Sequence, residues 1–122
     1  MAAAAASAVD DPLIQQALLG EAADECPAAI FVLGEDRKYV AVNAFACRLL
    51  GYERGELLAL DPADVGPEPD VVAHLAELNR HGSAEGKAQL KAKNGELIGV
   101  TYRASETTAA RMHFWISIAF PD

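Results

Sequence analysis

The sequence predicts an α+β domain, one antiparallel sheet with helices packed on one of its faces. Three observations carry this. Apolar residues recur at helical spacing in Leu13, Ile14, Ala17, Leu18 and Ala22. Five short runs rich in apolar and β-branched residues read as strands, two early and three at the end. Between two of the late runs stands Asn94-Gly95, a strong hairpin signal. The order is helix, two strands, short helices, a longer helix, three strands, and that is α+β.

Residues 1–10 are an alanine-rich tail expected to be disordered. Asp11-Pro12 reads as N-cap and first residue of a helix that runs to residue 25, with Pro27 ending it. The segment 11–26 therefore precedes the main domain, residues 27–120, as a cap helix. Its apolar stripe has no partner in its own stretch of chain and must cover the rest of the domain or a second chain. Ala29 to Leu33 and Tyr39 to Asn43 are short strands joined by Gly34-Glu35-Asp36-Arg37. Asn43 caps a helix from Ala44 to Leu50, which Gly51 stops. Glu53 to Leu60 is a further helical piece. Asp61 to Asp70 carries three prolines and a glycine and reads as loop. Val71 to Arg80 resumes a helix, closed by His81-Gly82-Ser83.

The last strands are Lys87–Lys93, Leu97–Ala104 and Met112–Phe120. A two-residue turn at Asn94-Gly95 would mix polar and apolar side chains on both faces. A three-residue turn, with Gly95 in the left-handed conformation, puts Ala88, Leu90 and Ala92 with Ile98, Val100 and Tyr102. It leaves Lys87, Gln89, Lys91, Thr101 and Arg103 outside, and this register is the one expected. In the final strand Met112, Phe114, Ile116, Ile118 and Phe120 are expected on the inner face, with Trp115 projecting outward.

At 122 residues, 52% apolar and 23% charged, the chain suits one globular domain with one core. A net charge of −8 and a pI of about 4.7 disfavour nucleic acid and the anionic face of a membrane. No apolar run approaches the roughly 20 residues of a membrane span. The N-terminus lacks the basic and strongly apolar regions of a signal peptide. Cys26 and Cys47 have no zinc spacing and read as reduced, buried thiols, which suits the cytosol.

Several runs, taken in order, resemble a known family. Ala28-Ala29-Ile30-Phe31-Val32-Leu33, Tyr39-Val40-Ala41-Val42-Asn43-Ala44, Cys47-Arg48-Leu49-Leu50-Gly51-Tyr52 and Gly55-Glu56-Leu57-Leu58 resemble the opening half of a PAS domain. Leu90-Lys91-Ala92-Lys93-Asn94-Gly95 and the strand after it resemble the second half. One departure is the first turn, where the family often has an Asp and a Gly that here are Gly34 and Arg37. The resemblance implies a five-stranded antiparallel sheet in the order 2-1-5-4-3, helices on one face enclosing a cavity, and an N-terminal helix that packs on the outer face and forms dimers. It also implies a sensory or dimerisation role and an output domain or partner protein elsewhere in a signalling pathway.

On that reading the cavity would be lined by Phe31, Leu90, Val100, Tyr102, Phe114 and Ile116 from the sheet, and by Asn43, Cys47, Leu50, His74 and Leu78 from the helices. Mostly apolar walls with a few polar points suit a small apolar or amphipathic ligand; the alternative is that these side chains fill the interior and no ligand binds. The expected dimer interface is Leu13, Ile14, Leu18, Ala22 and Trp115. Flavin photochemistry is not expected, since the stretch that carries a reactive cysteine in flavin-binding members reads Asp64-Val65-Gly66-Pro67-Glu68. The alternative cofactor is haem, with His74 as its axial ligand in a gas or redox sensor. A small α+β enzyme is the other alternative. The carboxylates cluster at turns and helix ends, no triad or paired-carboxylate spacing stands out, and no metal ligands are expected.

Overall fold

In the computed structural model the described residues are 10–66 and 80–122. The first helix, α1, is Pro12–Glu25. Asp11 caps it, its carboxylate accepting the Leu13 N–H at 2.8 Å, and Pro12 supplies a first turn that needs no N–H of its own. Strands β1 (Ala29–Leu33) and β2 (Tyr39–Val42) pair antiparallel, Phe31 opposite Val42. Helix α2 is Ala44–Leu50 and α3 is Arg54–Ala59. Gly51 ends α2 in the left-handed conformation, φ 80°, with its N–H on the Cys47 carbonyl at 2.8 Å.

Where a loop was expected from Asp61, Pro62–Val65 forms a one-turn helix, α4. Asp61 caps it through the Ala63 N–H, so Asp61-Pro62 repeats the start signal of Asp11-Pro12. The helix expected over Val71–Arg80 lies almost wholly outside the described residues. Strands β3 (Ser83–Lys91), β4 (Leu97–Ala109) and β5 (Met112–Pro121) complete a five-stranded antiparallel sheet in the order β2-β1-β5-β4-β3. Two of these strands are longer than expected. β3 begins at Ser83, and β4 runs on through Ser105-Glu106-Thr107-Thr108 to a two-residue turn at Ala110-Arg111. No Gly, Pro or Asn interrupts that stretch, so the ladder continues until the chain must reverse.

The β3–β4 register is that of the three-residue turn. Leu90 faces Ile98, Ala88 faces Val100, and Gly95 takes φ 90°. The turn is tied down by the Lys93 N–H, which donates to the Leu50 carbonyl at 2.8 Å.

The facing of β5 is the reverse of the expectation. Ala119 pairs with both Ala29 and Tyr102, Ser117 with Phe31 and Ala104, and Trp115 with Leu33 and Glu106. Directly opposed residues share a face. Since Ala29, Phe31, Tyr102, Ala104 and Ala119 are all buried, Trp115, Ser117 and His113 are on the inner face with them. Phe114, Ile116, Ile118 and Phe120 are on the outer face. Alternation along β5 points the wrong way: the parity Phe114, Ile116, Ile118 and Phe120 is the more apolar one and is the outer one, while His113, Trp115, Ser117 and Ala119 turn inward. The pairing decides it: Ala119 and Ser117 stand opposite the buried Ala29, Phe31, Tyr102 and Ala104 of the neighbouring strands.

The core joins the inner face to the helices through Phe31, Val42, Leu50, Leu57, Val65, Val100 and Tyr102. α1 is outside it. None of its residues is buried, and Leu13, Leu18 and Leu19 are 76%, 58% and 68% exposed.

Candidate functional site

The inner face of the sheet divides into an apolar part and a polar end. The apolar part is built from Phe31 on β1, Leu90 on β3, Val100 and Tyr102 on β4 and Leu50 on α2. Tyr102 stands opposite Gly86, and a Cβ added to Gly86 would lie 3.3 Å from the Tyr102 hydroxyl. A Cβ there would make the phenol give by a few tenths of an ångström, so glycine lets the Tyr102 ring lie close against β3. Tyr39 extends the aromatic surface, its ring 5.7 Å from that of Phe31. Burial, with smaller contributions from Asp61 and Asp64, pushes its phenol well above the ordinary value, so it stays neutral.

The polar end lies toward the β4–β5 turn. His113 and Trp115, two residues apart on β5, stack with ring centroids 4.8 Å apart. Arg37 enters from the β1–β2 turn with its guanidinium 5.7 Å from the Trp115 ring centroid. Arg37 does so from a left-handed backbone, φ 61°, that non-glycine residues seldom adopt. Glu106, opposite Trp115 on β4, brings a carboxylate oxygen to 3.2 Å from His113 Nε2. That contact is off the hydrogen-bond line. Both His113 Nε2 and Trp115 Nε1 are covered from solvent without a hydrogen-bond partner.

At the opposite corner, Asn43 is 6% exposed and every polar atom is engaged. Its Oδ1 accepts the N–H groups of Ile30 at 2.9 Å and Ala46 at 3.0 Å. Its Nδ2 donates to the carbonyls of Ala23 at 2.9 Å and Ala28 at 2.8 Å. One side chain thus joins the end of α1, the start of β1 and the start of α2. Asp24 adds to this clasp by accepting from the Ala44 N–H at 2.9 Å and the Arg54 guanidinium at 2.7 Å.

The architecture has close counterparts among solved structures. A PAS domain from a two-component sensor histidine kinase superposes with a TM-score of 0.79 at 18% identity, covering 92% of this chain and 100% of that one. The PAS domain of an HTR-like protein from Haloarcula marismortui gives 0.78 at 17%, covering 88% and 92%. A domain of a sensory box sensor histidine kinase/response regulator from Geobacter sulfurreducens gives 0.75 at 22%, covering 92% and 98%. No match is found among curated proteins. The family model of the PAS fold matches residues 17–118. The chain belongs to the PAS family.

PAS domains are typical of sensor histidine kinases in signal transduction and are generally sensory modules rather than enzymes. In this PAS domain no described helix is long and apolar enough to cross a membrane. Among the described residues no cluster of His, Cys, Asp and Glu is arranged to hold a metal ion. Cys26 and Cys47 are free thiols, both half-buried rather than buried.

Of the cavity residues read from sequence, Phe31, Leu50, Leu90, Val100 and Tyr102 come together on or against the inner face. Cys47 packs half-buried against the same core. Phe114 and Ile116 do not belong there, because the β5 register puts them on the outer face. Asn43 is at the edge of the site, but its hydrogen-bonding capacity is used by the backbone. His74 and Leu78 lie outside the described residues. Trp115 leaves the interface set for the interior. Sequence reasoning missed Arg37, Tyr39, Glu106 and His113. The alternation along β5 pointed away from His113, and only pairing with the neighbouring strands places it inward.

Proposed function

We propose that this PAS domain is a signal-receiving module that acts as a homodimer, built from α1 and the outer face of the sheet. The observation that carries the reading is a pair of uncovered apolar surfaces in one chain. On the outer face Ile30 pairs with Ile118 and Val32 with Ile116, and Phe120 is 48% exposed. On α1, Leu13, Ile14, Leu18 and Leu19 are exposed together. The clasp at Asn43 and Asp24 holds the end of α1 against α2, so its apolar residues do not cover the outer face of their own sheet. A second copy is the natural occupant of both surfaces. The outer face also carries a groove of about 680 Å³ bordered by His81, Glu85, Arg103, Ile116 and Ile118, in which the Glu85 carboxylate lies 3.4 Å from Arg103.

The division into a tail at 1–10, a cap helix at 11–26 and a sensory domain at 27–120 belongs to this reading, as does a cytoplasmic location. So does an output domain or partner protein that receives the signal, and so does the absence of catalysis. The small-molecule or redox signal would enter at the inner face. Haem bound through His74 is the alternative cofactor, and an absorption spectrum with or without a Soret band decides it.

Sedimentation equilibrium at micromolar concentration tests the assembly. The intact chain is expected to be dimeric, and Leu18→Glu, Ile118→Glu and the chain lacking residues 1–25 monomeric. A monomeric intact chain, or a dimer indifferent to all three changes, would overturn the proposal.

A further inference from the structure

We infer that the polar end of the inner face, formed by Trp115, His113 and Arg37, anchors the carboxylate of a small organic acid. This rests on the sensory reading of the inner face and goes further by naming the chemistry of the ligand. The first observation is the pair of covered nitrogens, Trp115 Nε1 and His113 Nε2, that have no hydrogen-bond partner. The indole N–H can only donate, and the imidazole can donate through Nε2. A buried donor left unmade costs about 1–3 kcal/mol, so the indole N–H calls for an acceptor, and the stacked imidazole beside it meets only the misaligned Glu106 carboxylate at 3.2 Å.

The second observation is Arg37. Its guanidinium lies over the same indole, and the turn that delivers it holds a left-handed backbone that a glycine would adopt without strain. The strain buys a fixed positive charge at the rim of an interior in a chain whose net charge is −8. An exposed turn carries this residue, so its long side chain can swing from the ring onto an entering anion. The imidazole and a permanently charged guanidinium are thus both held against one indole ring, and a carboxylate has the acceptor capacity to meet them and the indole N–H.

Glu106 is the counterweight. Its carboxylate, 3.2 Å from His113 Nε2, repels a second anion and sets a modest affinity. The apolar surface of Phe31, Tyr39 and Leu33 adjoins Trp115 and would take the hydrocarbon part of the acid.

The chain contains a single tryptophan, so its emission reports on this site alone. The test titrates the purified intact protein with benzoate, phenylacetate and succinate, and in parallel with the uncharged benzamide, phenylacetamide and succinamide. Emission and thermal midpoint are both followed. At least one acid is expected to shift the emission and raise the midpoint while its amide does neither. Arg37→Gly, which keeps the turn conformation, is expected to weaken that response about tenfold or more. Glu106→Gln is expected to strengthen it, and Trp115→Phe to remove the thermal response. Equal responses to acid and amide, an unchanged response in Arg37→Gly, weaker binding in Glu106→Gln, or silence from all three acids would each overturn the inference. Sedimentation of the same samples separates the two proposals, because a silent protein that is still dimeric refutes the ligand chemistry and leaves the assembly standing.

Discussion

At the scale of single residues, two side chains do more than their size suggests. Asn43 satisfies four backbone groups from three segments within 3.0 Å. Replacing it with alanine strands these groups in a nearly closed site, and each buried group left unmade costs about 1–3 kcal/mol. Asn43→Ala is expected to lower stability by about 3 kcal/mol in urea unfolding, and to speed hydrogen exchange at the C-terminal end of α1. A loss under about 1 kcal/mol would mean that water replaces the amide without penalty. Glu56 is the second. Its carboxylate accepts from Lys93 at 2.8 Å and from the Glu53 N–H at 2.9 Å, joining α3 to the β3–β4 turn. The Lys93 hydrogen bond first, and the Glu53 N–H next, hold its pKa below the ordinary glutamate range. A carboxylate depressed in this way contributes stability above its unfolded pKa and loses it as pH falls through the folded value. Carboxyl NMR titration of Lys93→Met is expected to show Glu56 moved back up part of the way, because the Glu53 N–H remains. Asp61, held down first by Lys38 and then by the Ala63 N–H, follows the same rule.

At the scale of elements, the β4–β5 hairpin bears local strain. Ala110 and Arg111 adopt φ 51° and 64° in the two-residue turn. Such turns match the twist of the strands but ask for left-handed backbone at both positions, the reason Asn-Gly is favoured there. A non-glycine residue in that region costs about 1–3 kcal/mol. Ala110→Asn with Arg111→Gly is therefore expected to stabilise the domain by about 1–2 kcal/mol, seen as a higher urea midpoint at an unchanged slope. A lower midpoint would mean that the two native side chains make contacts worth more than the strain. The hairpin matters to the site because it fixes where His113 and Trp115 stand relative to Glu106. The β1–β2 turn does the same for Arg37.

At the scale of the whole molecule, the fold closes its core without using α1 or the outer surface of β1 and β5. Exposed Leu13, Leu18 and Leu19 are costly to leave wet, each worth about 1.5–3 kcal/mol when fully covered. An assembly that covers them binds folded chains and not unfolded ones, so its stability rises with concentration by mass action. The thermal midpoint of the intact chain is expected to climb by several degrees between micromolar and millimolar protein, and that of Leu18→Glu to stay flat. A flat midpoint in both would point to a helix that remains exposed. α1 is clasped to α2 at one end through the Asn43 and Asp24 contacts and is otherwise free of the core.

The order and type of the elements were legible in the chain itself. Asp11-Pro12, Asn43 and Gly51 are local signals with local causes, a missing N–H, a capping carbonyl and a left-handed residue, and the helices begin and end where these residues stand. The β3–β4 register was legible for a similar reason, since Asn94-Gly95 permits few turns and only one of them gathers Leu90, Val100 and Tyr102 on one side. Strand order came through resemblance, and the sheet pairs as that resemblance implies. Tertiary structure alone decided the facing of β5. Phe114, Ile116, Ile118 and Phe120 share one parity and His113, Trp115, Ser117 and Ala119 the other, so the strand's own pattern favours the wrong parity for the interior. The answer comes from pairing with the neighbouring strands, where Ala119 and Ser117 meet the buried Ala29, Phe31, Tyr102 and Ala104. The polar end of the site was hidden for the same reason. Arg37, Glu106, His113 and Trp115 come from one turn and two strands, and only pairing Leu33 with Trp115 and Trp115 with Glu106 brings them together.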